Sequence, residues 1–143
     1  MSMIICGFPG TGKSWMARHS RWVDLESTPF ERDFWRYAKV AKHMHDSGYT
    51  VMVSTHEELI ACFEQMEVPY IVIVPPLSDI ETYTRRYIQR GSGVEFAKYI
   101  SNNWDKWIDN LICNSSVLRT VVILPKDGCI KAWADEWRRP FDE

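Results

Sequence analysis

The stretch "MIICGFPGTGKSW", Met3 to Trp15, runs from four apolar residues through a glycine-rich turn into Lys-Ser. Residues 7–14 fit the pattern G-x-x-x-x-G-K-[ST], placed between an apolar run and a segment of helical character, which is the context that gives the pattern meaning. A random chain of this length shows it roughly 0.5% of the time. The chemistry accounts for each residue type. A polyphosphate is a dense anion, best held by several backbone N–H groups converging from a tight loop. Glycines allow that curl because no Cβ stands in the way. Lys13 has the reach to meet terminal phosphates, and the Ser14 hydroxyl is placed to bind Mg²⁺. The set expected to contact a bound nucleotide is Gly7, Pro9, Gly10, Thr11, Gly12, Lys13, Ser14 and Trp15.

The rest of the chain is organised to support one domain over residues 1–143. At 143 residues it is long enough for a single filled core. Composition, 45% hydrophobic and 25% charged, excludes a disordered or fibrous chain. A net charge of -2 disfavours a broad nucleic-acid footprint, leaving room for a local basic cluster. Cys6, Cys62, Cys113 and Cys129 form no C-x-x-C pair; Cys6 and Cys62 read as buried thiols. No signal peptide and no run approaching the roughly 20 apolar residues of a membrane span is visible. The expected compartment is a reducing cytoplasm.

Short, β-branched, nearly continuous apolar runs recur at Met3–Cys6, Thr50–Val53, Tyr70–Val74 and Thr120–Leu124, with a weaker one at Trp22–Leu25. Such runs are expected of strands buried on both faces of a parallel sheet. Helical segments alternate with them. Thr28-Pro-Phe-Glu31, Thr55-His-Glu-Glu58 and Ser78-Asp-Ile-Glu81 each read as a capping box opening a helix. The first should stop at Gly48; the second should bury Leu59, Phe63 and Met66. The longest helix is expected over Val94–Cys113, with Phe96, Ile100, Trp104, Trp107, Ile108 and Leu111 on one stripe. Trp133 and Trp137, four apart, fall on one side of a last turn or helix. The tryptophans read as core, not ligand contacts. Strand–helix alternation requires crossovers, hence a parallel sheet covered on both faces.

With the glycine turn at residue 7, this alternation and this length, the chain resembles the P-loop nucleoside monophosphate kinase family, especially its small phage-type members. "IVIVPPLSDIETYTRRYIQRG", Ile71 to Gly91, carries the resemblance best. The resemblance implies a P-loop NTPase fold: α/β, a five-stranded mainly parallel sheet ordered 2-3-1-4-5 with helices on both faces. It implies ATP and Mg²⁺ as donor and cofactor. It also makes Arg86 and Arg90, with Arg85 in reserve, the arginines of a closing lid. Independently of the resemblance, Arg86 and Arg90 share a helix face, and Gly91-Ser-Gly93 offers a hinge.

In the resembling kinases an acidic residue after the second strand serves the acceptor or the hydrated metal. Asp24 holds that position, with Glu26 behind it. A carboxylate there can take a hydroxyl proton or hold a metal-bound water. The third strand ends Ser54-Thr55-His56 where the family places an aspartate, so metal binding rests on Ser14, with Asp24 or a water at Ser54. His56 stands where strand ends face a ligand crevice. The helix from Thr28 occupies the place of the family's acceptor flap; Arg32 and Phe34 offer a cation and an aromatic plate.

The reaction expected is ATP- and Mg²⁺-dependent phosphotransfer to a nucleotide or nucleoside-like acceptor, a deoxynucleoside monophosphate first. Lys13, Asp24, Arg86 and Arg90 would carry it, and Asp24, Arg32, Phe34 and His56 would hold the acceptor. A kinase of a polynucleotide end or modified DNA base remains open, as does a nucleotide-binding module without turnover.

Overall fold

Ile4, Ile5 and Cys6 alternate between the two faces of a sheet, and both faces are covered. That alternation governs the architecture of this computed structural model, which describes residues 2–138. The strands are β1 (Ile4–Gly7), β2 (Val23–Asp24), β3 (Val51–Val53), β4 (Tyr70–Val74) and β5 (Arg119–Ile123). The helices are α1 (Lys13–Arg18), α2 (Phe34–Asp46), α3 (Glu57–Gln65), α4 (Ile80–Gln89), α5 (Val94–Cys113) and α6 (Ile130–Arg138). The sheet is ordered β2-β3-β1-β4-β5, and every adjacent pair is parallel. The register sets Ile5 beside both Met52 and Ile71.

Period-two side chains build two cores. On one face Ile4, Cys6, Val51, Val53, Val72 and Val74 pack with residues of α2, α3, α4 and α5. On the other, Ile5, Met52 and Ile73 meet Met16 of α1 and Ile130 and Ala134 of α6. β1, β3 and β4 are thus buried on both sides, as their apolar runs require. The outer strands differ: β2 is half-buried, and β5 leaves Thr120 and Ile123 exposed. Among the described residues no helix is long and apolar enough to cross a membrane.

The helix starts depart from expectation. None of the three capping boxes forms. Thr28–Phe30 is a 3₁₀ turn, after which Glu31 and Arg32 take left-handed φ of 49° and 66°. Glu31 is thereby turned out of helical geometry, and α2 is instead capped by Asp33, whose carboxylate accepts from the Arg36 N–H at 3.1 Å. α3 begins after His56, whose extended backbone displaces Thr55 from the cap. Ser78 sits in a second 3₁₀ turn, Leu77–Asp79, and buried Asp79 is drawn to a distant partner, the Asp127 N–H at 2.7 Å. A nonlocal bond has displaced a local motif. The expected stop at Gly48 holds, at φ 99°, and α5 spans the residues expected, with Ile100, Trp104, Ile108 and Leu111 buried. Trp133 packs in the second core; the Trp137 side chain lies outside the described residues.

The fold anchors the turn after β1 from behind. Phe8 is fully buried, its ring edge-on to Trp104 at 5.4 Å. Gly10 is at φ 90°, and a Cβ there would stand 2.8 Å from Tyr87 and 2.9 Å from Tyr83. Both faults would act at once in Gly10→Ala, which should cost about 2–3 kcal/mol in chemical denaturation. Gly48→Ala, with positive φ but open space, should cost about 1 kcal/mol. Equal losses would show that the tyrosines do not press on the turn.

Candidate functional site

The glycine loop treats its carbonyls and its N–H groups differently. The Gly7 carbonyl accepts from Lys13 Nζ at 2.8 Å, Phe8 from the Thr11 hydroxyl at 2.7 Å, and Pro9 from the Tyr87 hydroxyl at 2.6 Å. The Gly10 carbonyl accepts from Arg86 at 3.0 Å, Thr11 from the Ile130 N–H, and Gly12 from the Met16 N–H, both at 2.9 Å. Every carbonyl from residue 7 to residue 12 is therefore engaged by a donor of the protein itself. Among the described residues, by contrast, no protein acceptor takes the N–H of Gly10, Gly12, Lys13 or Ser14. Left-handed Gly10 and Gly12, at φ 90° and 98°, make that arrangement possible. The loop presents donors and hides acceptors.

Arg86 supplies one of these bonds and reaches beyond the loop. Its guanidinium also donates to the carbonyls of Gly128 at 3.1 Å and Asp127 at 3.0 Å, and lies 4.6 Å over the Tyr83 ring. The Thr82 hydroxyl donates to the Asp127 carboxylate at 2.9 Å. α4 thus grips both the glycine loop and the loop after β5. Arg86 therefore departs from the expected lid: its donors are turned inward to carbonyls. The expectation also missed Tyr83 and Tyr87, although their four-residue spacing interleaves with that of Arg86 and Arg90 and was readable. Thr11 likewise supports the loop, its buried hydroxyl satisfied by Phe8.

Arg90 is placed otherwise. It is exposed, donates to the Ser92 hydroxyl at 2.8 Å, and lies 5.1 Å over Tyr87. Its charge reaches half-buried Lys13, whose pKa burial pulls down to about 8; Asp24 opposes that fall and Arg90 adds to it. The Ser14 hydroxyl donates to the Asp24 carboxylate at 3.1 Å, so the sequence-selected Lys13, Ser14, Asp24 and Arg90 form one neighbourhood. Trp15, by contrast, is exposed and stacked on His19 at 3.9 Å.

At the carboxyl ends of β2 and β3 a cleft of about 170 Å³ opens, lined by Phe30, Arg32, Phe34, Tyr37 and His56 among others. Phe30 and Tyr37 stack at 4.7 Å, and His56 tilts against Phe34 at 5.1 Å. The Tyr37 hydroxyl donates to the Leu25 carbonyl and accepts the Ser54 N–H, pinning both strand ends. Burial keeps the Tyr37 phenol protonated, pushed up to about 12. His56 bonds the Ser54 hydroxyl at 2.6 Å, and burial lowers its pKa, favouring the neutral ring. Arg32 pairs with Glu58 at 3.3 Å. Among the described residues no three His, Cys, Asp or Glu side chains gather as for a metal ion. Serine with a nearby carboxylate is nevertheless a donor set suited to a hard, largely hydrated cation.

No family model matches the chain, and no curated protein does. It is similar to a solved structure, an uncharacterized protein from Eubacterium ventriosum, at 14% identity and a TM-score of 0.51, with 99% of each chain covered. That likeness shows the fold alone.

Lys13 gives the site a measurable signature. Its folded pKa of about 8 lies below the ordinary 10.5, so between these values the unfolded chain binds more protons. Stability should therefore rise with pH across that window. Lys13→Met removes this partly buried charge together with its bond to Gly7. It is expected to raise stability by about 1 kcal/mol at pH 7, with the gain vanishing near pH 10.5. Denaturant titrations at the two pH values check this; a loss at pH 7 would mean the lysine is comfortably solvated.

Proposed function

We propose that the chain is an ATP- and Mg²⁺-dependent phosphotransferase with a P-loop NTPase fold, acting on a nucleotide or nucleoside-like acceptor. The observation that carries this reading is the sorting of main-chain polarity from Gly7 to Ser14. Carbonyls tied to protein donors and N–H groups left without acceptors suit a polyphosphate and repel a cation. A lysine held at a depressed pKa adds to it, because an arriving anion restores the stability of its charge.

In this reading the loop N–H groups hold the β- and γ-phosphates. Lys13 turns from the Gly7 carbonyl to the γ-phosphoryl group. Ser14 would hold Mg²⁺, with Asp24 reaching it through water; the ion supplies charge neutralisation on the phosphates. Arg90, next to the Gly91 and Gly93 hinge, balances charge developing on the transferred group. Arg86 works from behind, as the clamp that fixes the loop. Asp24 orients the acceptor oxygen, and Arg32, Phe34 and His56 line the acceptor cleft. Catalysis is then positioning and charge balance.

A second reading has its own support. Ser54 and His56 bond each other where a metal-binding carboxylate would end β3, which favours an ATP-binding module without turnover. Transfer from γ-labelled ATP to a panel of nucleosides, nucleotides and a 5′-hydroxyl oligonucleotide separates the readings. Labelled product should form and fall at least about 100-fold in Lys13→Ala. Asp24→Asn should lower kcat more than it raises the KM for ATP. Lys13-dependent binding of a non-hydrolysable analogue without transfer to any acceptor would select the silent module.

A further inference from the structure

The cleft at the carboxyl ends of β2 and β3 is lined by residues that lead directly into α2, Arg32 and Phe34 among them. α2 buries Tyr37, Ala38 and Ala41 and turns Trp35, Arg36, Lys39 and His43 outward, all of them exposed. Arg36, Lys39 and His43 follow at spacings of three and four residues, so they form one stripe. It runs about 10 Å along the helix axis, room for about three phosphates at the spacing of a stacked strand.

The acids nearby leave this stripe unmatched. From Phe34 to His45 the sequence holds no acidic residue. Asp33 caps the helix through the Arg36 N–H, Glu58 pairs with Arg32, and Asp46 pairs with Lys42 and His45 at the far end. Among the described residues neither Arg36 nor Lys39 has an anionic partner; the Arg36 guanidinium lies 5.3 Å over Phe30. Trp35, 45% exposed, touches no other ring. Spaced cations with an open indole suit a ligand that repeats a phosphate and a flat base. A free mononucleotide would engage the cleft and leave most of the stripe idle, and an acidic peptide would leave the indole idle. The net charge of -2 opposes the broad field that favours duplexes.

Resting on the phosphotransferase reading above, we infer that the acceptor is the terminal hydroxyl of a single-stranded nucleic acid, whose end enters the cleft while the next nucleotides lie along the outward side of α2. Arg36 and Lys39 take successive phosphates, and Trp35 stacks on a base. The terminal hydroxyl oxygen attacks the γ-phosphorus of ATP and forms the new O–P bond. The bond from that phosphorus to the β,γ-bridging oxygen breaks, its electron pair leaving on ADP. The hydroxyl proton passes to the Asp24 carboxylate.

The test uses the whole chain, γ-labelled ATP, and DNA and RNA strands from one to about eight nucleotides, each with a free hydroxyl at the 5′ or the 3′ end alone. Labelling at one of the two ends should rise with length, kcat/KM for the longest strand exceeding that for the mononucleotide about 30-fold or more. Lys39→Ala and Trp35→Ala should each raise the KM for the long strand about tenfold, while mononucleotide labelling and the KM for ATP stay within about twofold. Lys39→Arg and Trp35→Phe should keep most of the parent value. In binding titrations read by fluorescence anisotropy, Lys39→Ala should also reduce the slope of log K against log salt by about 0.7. Equal labelling of mononucleotide and long strand overturns the inference, as does a duplex or polyglutamate that competes as well as the strand. So does a long-strand KM that neither alanine substitution moves. If a non-hydrolysable ATP analogue binds in a Lys13-dependent way and no strand is labelled, the acceptor assignment fails and the donor site stands. If the analogue does not bind, both fall together.

Discussion

The set of protein donors that holds the carbonyls from Gly7 to Gly12 is the constraint on which the rest of the site depends. A loop with two left-handed glycines has many conformations open to it, and its dipoles could point either way. Arg86, Tyr87, Thr11 and the Ile130 N–H remove that freedom by taking the carbonyls one after another. The N–H groups face outward because their partners on the peptide units are held inward. Preorganisation of this kind is done during folding and leaves the loop's dipoles fixed.

The same helix does two different things with two arginines one turn apart. Arg86 is satisfied by three carbonyls and an aromatic face, which makes it a structural cation. Arg90 has only a hydroxyl and ring faces, and remains exposed. Beside them, Asp79 is nearly inaccessible and keeps one carboxylate oxygen without a partner, as does the Tyr83 hydroxyl. Unpaired buried polar atoms are costly. Here they lie within the clamp that joins α4 to the loop after β5, so the clamp is held at some expense to stability.

How far the sequence could be read follows from the range of the forces involved. Strands β1, β3 and β4 were legible because both faces bury apolar residues, leaving a continuous run. The parallel order and the long α5 followed from period and alternation. Helix starts were less legible, because three-residue capping signals compete with long-range bonds that no local window contains: Asp79 answers to Asp127, forty-eight residues away. The neighbourhood of Lys13, Ser14 and Asp24 was readable from motif and strand end. The role of Arg86 was not, since helical spacing gives the face a side chain shares and says nothing of which carbonyls it meets. The aromatic cleft was half seen: Phe34 and His56 were selected, whereas Phe30 and Tyr37 needed the turn at Glu31 and Arg32 to be brought together.

The loop carrying Asp127 and Gly128 is far from the glycine loop in sequence and beside it in space. The Ile130 N–H on the Thr11 carbonyl joins positions separated by most of the chain. On a ribosome, therefore, the first dozen residues emerge long before the partners that give them their polarity. Until then the carbonyls of Pro9, Gly10 and Thr11 lack the donors that hold them. The sorting of the loop's main-chain polarity is completed late, when the last crossover docks. High sequence separation of this kind slows folding, and it also ensures that no incomplete chain carries the full set of held carbonyls.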